Sequence, residues 1–237
     1  MSDFPFDAVL FDCDGVLVDS EPITNRVLAE MLGELGWQVS VEQVMRIFTG
    51  KAVKDERALI EARTGMALTP EWLAAFRERR NEAIEHELIE IPGAPLAVRA
   101  LHDALDGRIA VASGADRRKV ELQLAKVGIL DCFEGRIFSG HEMPRSKPHP
   151  DVYLAAAGAL AADPRRCAVI EDTVTGARAG VAAGATVFGY SPNDAGHSSP
   201  AALRAAGVTH VFREMGQLPA LLAAWSGAQL AARRFAS

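Results

Sequence analysis

The stretch Ala8-Val9-Leu10-Phe11-Asp12-Cys13-Asp14-Gly15 decides how this chain folds. Four apolar residues run into two carboxylates one residue apart, and a glycine follows. Such a pattern is a buried strand delivering charge to a loop. In a parallel sheet the carboxyl end of a strand opens onto a crevice, so charge placed there is charge placed where ligands bind. A plain acidic turn would also use Asp and Gly. Residues farther along must separate the two readings.

Composition sets the outer bounds. A chain of 237 residues buries a full core, either as one large domain or as a core carrying an inserted second one. With 49% apolar and 24% charged residues, the chain is an ordinary globular sequence that folds unaided. Its net charge of -6 disfavours the sequence-independent attraction to phosphate backbones on which nucleic-acid binders rely. No apolar run reaches membrane-spanning length, and Met1 to Pro5 lack the basic and apolar regions of a signal peptide, so a cytoplasmic protein is expected. Cys13, Cys132 and Cys167 are scattered and odd in number, which reads as three reduced thiols. Cys13 lies between two acids that suppress its thiolate, so it is expected to be a small packed side chain and not a nucleophile.

After Asp19-Ser20, a candidate N-cap for a helix opening at Glu21-Pro22, the chain reads as helices only up to residue 89. Segments near 22–35, 40–48, 52–64 and 70–89 are expected, broken at Gly36, Gly50 and Gly65, with Thr69-Pro70 as N-cap and N1. The run Arg77-Glu78-Arg79-Arg80-Asn81-Glu82 reads as a solvated helix face. From Ile91-Pro92-Gly93 the pattern changes to short β-branched strands alternating with helices, at 108–112, 136–138, 167–170, 185–189 and 210–212. The fold class is therefore α/β: a Rossmann-like, doubly wound parallel sheet core with an inserted small helical cap domain. Residues 1–20 and 90–237 form the core domain in this reading. Residues 21–89 form the cap, projecting over the carboxyl end of the first strand. Leu218 to Ala232 is expected to be a closing amphipathic helix, and Trp37, Trp72 and Trp225 are expected in packing roles.

Three further strand ends carry polar residues. Ser113-Gly114-Ala115-Asp116 offers a hydroxyl and an amide to an anion, although the same residues also suit a helix N-cap. Ser146-Lys147-Pro148-His149-Pro150 is a proline-stiffened loop that holds one lysine; it suits phosphate neutralisation or simple solvation. Glu171-Asp172 ends a buried run at the start of a helix. Its oxygens suit Mg²⁺, a hard ion that takes one or two carboxylates, or merely an acidic helix start. Together the four strand ends supply a nucleophile, anion donors, a counter-charge and a metal site. His141 and His149 flank the lysine loop without ligand spacing and read as surface histidines.

In the order and spacing of these four motifs, from Asp12 to Gly176, the sequence resembles the haloacid dehalogenase superfamily of phosphotransferases, and most of all its β-phosphoglucomutase-like branch. The resemblance implies a Mg²⁺-dependent phosphatase acting on a small phosphate monoester, a sugar phosphate or sugar-acid phosphate. It implies that Asp12 attacks phosphorus to form an aspartyl phosphate, and that Asp14 serves as acid and then base. Mg²⁺ would be held by Asp12, the backbone carbonyl of Asp14, and Asp172, with Glu171 beside or behind them; Ser113, Gly114 and Lys147 would hold the phosphoryl group. Adjacent carboxylates and a closing cap are expected to help keep Asp14 protonated.

Cap residues set the substrate in this family. β-Phosphoglucomutases resemble one another in a histidine twelve positions beyond the nucleophile, where this chain has Thr24, so mutase activity is the secondary reading. Lys51 and Lys54, in a loop similar to the family's specificity loop, are candidates for the non-reacting end of an anionic substrate. Asp19-Ser20-Glu21 and Phe138-Ser139-Gly140 resemble bacterial sugar-phosphate phosphatases, including 6-phosphogluconate phosphatases. A receiver-type signalling domain shares the acids and the lysine but is roughly half as long and lacks the insertion. A dehalogenase proper needs no Mg²⁺, and no motif suggests a catalytically idle binding module. The expected partner is a small phosphorylated metabolite, with no nucleic acid and no membrane, and the protein is expected to be a monomer.

Overall fold

The computed structural model describes residues 4–48, 53–193 and 199–225. Its main sheet has six strands: β1 (Ala8–Phe11), β4 (Ile109–Ser113), β5 (Ile137–Ser139), β6 (Cys167–Glu171), β7 (Thr186–Tyr190) and β8 (His210–Phe212). They lie side by side in the order β5-β4-β1-β6-β7-β8, and every pairing is parallel. Helices cover both faces, so every residue of β1, β4, β6 and β7 is buried, which is why these strands are continuously apolar and do not alternate. Between β1 and β6 the order of winding reverses. That switch point opens a crevice beyond the strands' carboxyl ends.

The helices that follow β4, the lysine loop and β6 are α6 (Arg117–Lys126), α7 (Asp151–Ala159) and α8 (Val174–Ala182). Asp116 caps α6 by accepting from the Lys119 backbone N–H, and Thr173 caps α8 by accepting from that of Gly176. Val152, Tyr153, Ala156 and Ala157 of α7 pack with β1, β4 and β6 in one apolar cluster. Helix α5 (Ala94–Ala104) leads into β4; α9 (Pro200–Ala205) and α10 (Leu218–Ala223) flank β8. The chain divides into two compact units, residues 1–18 with 90–237, and residues 19–89. Among the described residues no helix is long and apolar enough to cross a membrane.

Unit 19–89 contains α1 (Glu21–Glu34), α2 (Val41–Phe48), α3 (Arg57–Thr64) and α4 (Pro70–Glu87) around its own apolar core, which includes Leu28, Leu32, Val44, Ile60 and Phe76. Trp37 and Trp72 pack against that core, and Trp225 lies edge-on to Phe188, as their packing roles require. Gly65 ends α3 in the left-handed region and Thr69 caps α4.

Four expectations need correction. Helices do not fill the whole insertion: α4 stops at Glu87, Leu88 is extended, and Ile89–Glu90 (β3) pairs with Val18–Asp19 (β2) as a two-stranded sheet. Two-residue strands carry no periodicity to read. Ser20 does not cap α1 with its side chain, since its backbone is helical (φ -99°, ψ -12°) and not extended. Residues 53–56 form a 3₁₀ turn before α3. The charge run 77–82 is not wholly solvated: Arg80 and Asn81 are buried, because 76, 80 and 84 recur at helical spacing on the apolar face. The Arg80 guanidinium lies 5.8 Å from the Phe76 ring and donates to Asn81 Oδ1. Of the expected closing helix, the part beyond residue 225 lies outside the described residues.

Removing the Thr69 hydroxyl orphans a donor at the start of α4. Thr69→Ala is expected to lower stability by about 1 kcal/mol, read from the urea midpoint.

Candidate active site

In the sheet Phe11 stands opposite Ile170, and the Asp12 backbone N–H donates to the Ile170 carbonyl at 3.0 Å. Pairing thus continues one residue past β1, and Asp12 emerges beside Glu171 and Asp172 at the switch point. All three carboxylates are buried. Lys147 reaches the same place from its loop. Its Nζ lies 2.9 Å from Asp12 Oδ1 and 2.7 Å from Glu171 Oε1, with the side chain only 9% exposed.

Burial pushes the Asp12 carboxyl up to about 7; Lys147 opposes the rise, and the Glu171 and Asp14 charges add to it. Although burial works against its charge, Asp12 and Glu171 hold the Lys147 ammonium well above the usual lysine range. Lys147 therefore stays charged, while Asp12 is only partly compensated.

Glu171 is more fully satisfied. Its Oε1 accepts from Lys147 and, at 2.8 Å, from the Tyr153 hydroxyl; its Oε2 accepts from the backbone N–H groups of Asp172 and Thr173 and from the Thr173 hydroxyl, each at 3.1 Å. Five donors on one carboxylate anchor the loop that presents Asp172. The backbone must come close for this to happen. A Cβ at Gly176 would overlap the Glu171 carboxylate, and one at Gly15, whose φ is +76°, would overlap that of Asp172.

Oxygens of Asp12, Glu171 and Asp172 all lie within 4.8 Å of one another. A buried set of three carboxylates fits a hard divalent cation such as Mg²⁺.

Ser113 closes β4, the neighbour of β1 on the side away from β6, and is buried. Its Oγ accepts from the Ala115 N–H at 3.1 Å, and Gly114 is exposed beside it. Asp116, not Ser113, is the helix cap, so the two readings of this motif fall on different residues. Asp14 is also reached from helix α6. Its Oδ1 accepts from Lys119 Nζ at 2.8 Å and from Gln123 Nε2 at 2.7 Å, so an ammonium is a close neighbour besides the Asp12 carboxylate. Cys13 is buried, and burial, with Asp14 and Asp12 adding, raises its thiol well above the usual range, in keeping with a packed neutral side chain.

Lys54 sits exposed in the 3₁₀ turn of unit 19–89, and Lys51 lies outside the described residues. His141 and His149 are both exposed. Sequence reasoning missed Tyr153, Thr173, Lys119 and Gln123. The spacing of Lys119 and Gln123 by four on a helix that leaves a strand end was a usable signal; Tyr153 looked like any apolar helix residue.

Residues 6–184 match the family described as haloacid dehalogenase-like hydrolase. The chain belongs to that family. The hydrolase is 32% identical over 220 residues to the 6-phosphogluconate phosphatase of Escherichia coli, covering 91% of this chain and 94% of that one. It is 30% identical to the hexitol phosphatase B of Escherichia coli, covering 74% and 79%. A solved HAD family hydrolase from Deinococcus radiodurans, with bound phosphate and sodium, is 36% identical and superposes with a TM-score of 0.72 over 95% of this chain and 97% of that one.

Two substitutions separate the contributions to Glu171. Glu171→Gln leaves the Lys147 ammonium short of a buried partner and is expected to cost about 3–5 kcal/mol. Tyr153→Phe removes one donor to a charged acceptor and is expected to cost about 1.5–3 kcal/mol. Urea unfolding monitored by circular dichroism measures both.

Proposed function

We propose that this phosphoric monoester hydrolase releases phosphate from a small sugar phosphate or sugar-acid phosphate through an aspartyl phosphate on Asp12. The observation that carries the reading is the buried Lys147 bridging Asp12 and Glu171 beside Asp172. Such a site leaves one carboxylate incompletely neutralised where a cation can complete the charge balance and then draw an anionic ester to it. Relatives named 6-phosphogluconate phosphatase and hexitol phosphatase B support the substrate class. Thr24, in place of the mutase histidine, supports water as the final acceptor.

In this reading an Asp12 oxygen attacks phosphorus. The bond from phosphorus to the ester oxygen breaks, and the departing alkoxide takes a proton from Asp14. Water then attacks phosphorus and gives its proton to Asp14 while the bond to Asp12 breaks, so Asp12 and phosphate are regenerated. Lys147 neutralises charge on the transferring group, and the Ser113 hydroxyl and Gly114 amide orient it. Asp12, Asp172 and the Asp14 carbonyl would hold Mg²⁺, with Glu171 behind them anchoring the loop. The ion would screen the attacking carboxylate from the anionic ester. Substrate choice falls to residues 21–89 as a cap domain, where Lys51 and Lys54 are candidates for an anionic group at the far end of the substrate. Three free cysteines fit a reducing, cytoplasmic setting.

A phosphate-release screen over sugar, polyol and nucleotide monophosphates tests the reading. Release is expected with Mg²⁺, loss with EDTA, and loss to background in Asp12→Asn; release that survives Asp12→Asn would sink it. The charge state of Asp12 adds a second expectation. Its carboxyl, near 7 when folded and 3.8 in its ordinary range, binds more protons folded than unfolded. Its contribution to stability in the metal-free protein is therefore complete below about pH 4 and lost as pH rises through about 7. Mg²⁺ is expected to raise the melting temperature more at pH 8 than at pH 5. Calorimetry in buffers of different ionisation enthalpy should show proton release on Mg²⁺ binding near pH 6.5, fading by about pH 8.5.

A further inference from the structure

Asp14 is held by a helix that none of the four motifs includes. Lys119 and Gln123 stand one turn apart on α6, and both donate to the same oxygen, Asp14 Oδ1. Lys119 is 6% exposed and Gln123 is fully buried. Lysine and glutamine are seldom buried to this degree, and apolar side chains would fill the same space without the cost of desolvating an ammonium and an amide. The Gln123 amide is itself oriented. Its Oε1 accepts from the Cys13 thiol at 3.3 Å, which turns the amide nitrogen toward Asp14. Meanwhile the Lys119 backbone N–H is fixed by the Asp116 cap, so the lysine projects from an anchored first turn.

We propose that Lys119 and Gln123 are positioning residues that set the direction of the Asp14 carboxyl group for its proton transfers, with Cys13 fixing the orientation of the Gln123 amide. The inference rests on the phosphatase reading above. By fixing Oδ1, the two donors constrain where Oδ2 points, and a misplacement of about 1 Å can cost about 100-fold in rate. Cys13, between the two acids, thus has a task that is neither nucleophilic nor merely space-filling.

Leaving-group dependence tests it. Single-turnover formation of product alcohol is measured for wild type, Gln123→Met, Lys119→Met, Lys119→Arg and Cys13→Ala. The probes are 6-phosphogluconate, or the sugar phosphate turned over fastest in the screen, and p-nitrophenyl phosphate, whose leaving group needs little protonation. Gln123→Met and Lys119→Met are expected to slow the alkyl ester by about 10–100-fold with KM changed less than about twofold, and to slow nitrophenol release less than about threefold. Lys119→Arg should recover most of the Lys119→Met loss. Cys13→Ala, the mildest change, should show a smaller loss in the same ester-selective sense, and it keeps the test decisive if the buried α6 variants fail to fold. Equal losses on both esters, or losses confined to KM, would overturn the positioning role. A wild type inactive on both esters would overturn the phosphatase reading itself.

Discussion

Burying several like charges at one sheet edge is the constraint on which this structure turns. Asp12, Glu171 and Asp172 leave water together, and desolvating an ion costs several kcal/mol unless a partner and further hydrogen bonds offset it. Lys147 supplies the one ammonium that touches two of them. Its loop, the β1–β6 adjacency and the seating of α7 all serve that contact: the strands bring the acids together, and Tyr153 of α7 lies 4.8 Å from the ammonium through its ring while its hydroxyl donates to Glu171.

The three acids do not share the compensation equally. Glu171 takes five donors and serves as an anchor, whereas Asp12 keeps one ammonium and a carboxyl pushed up to about 7. The donors on Glu171 hold the strand-to-helix turn in place, while Asp12 is left less fully compensated. A site arranged purely for stability would replace such a cluster with apolar side chains. Asp14 meets Lys119 and Gln123 of α6, whereas Asp12 meets Lys147, so two carboxylates one residue apart have different hydrogen-bond donors. Residues two apart in a continuing strand would share a face, but here the chain turns: the Cys13 carbonyl accepts from the backbone N–H groups of Val16, Leu17 and Val18, and Gly15 has a positive φ.

Much of this was legible in the amino-acid order. A continuous apolar run ending in Asp-x-Asp identifies a doubly buried strand and a charged edge, and the alternation of strands and helices after residue 91 leads to the parallel sheet, because periodicity is a local property. The cap of α4 and the left-handed end of α3 were readable for the same reason. Strands β2 and β3 escaped because two residues have no period. Buried Arg80 escaped because a charge in a polar run gives no sign of lying on the apolar face unless residues 76 and 84 are considered with it.

Within the site, sequence by itself determined which chemical groups stand at the strand ends and in the lysine loop: two carboxylates after β1, a hydroxyl closing β4, a lysine followed by two prolines, and two carboxylates at the end of β6. Only the tertiary structure decided what each group does with its neighbours. The contacts Lys147 to Asp12, separated by 135 residues, and Gln123 to Asp14, separated by 109, exist because strand order and helix seating close those distances. Charge compensation depends on ångström-scale separation in space, and no local pattern in the chain encodes that.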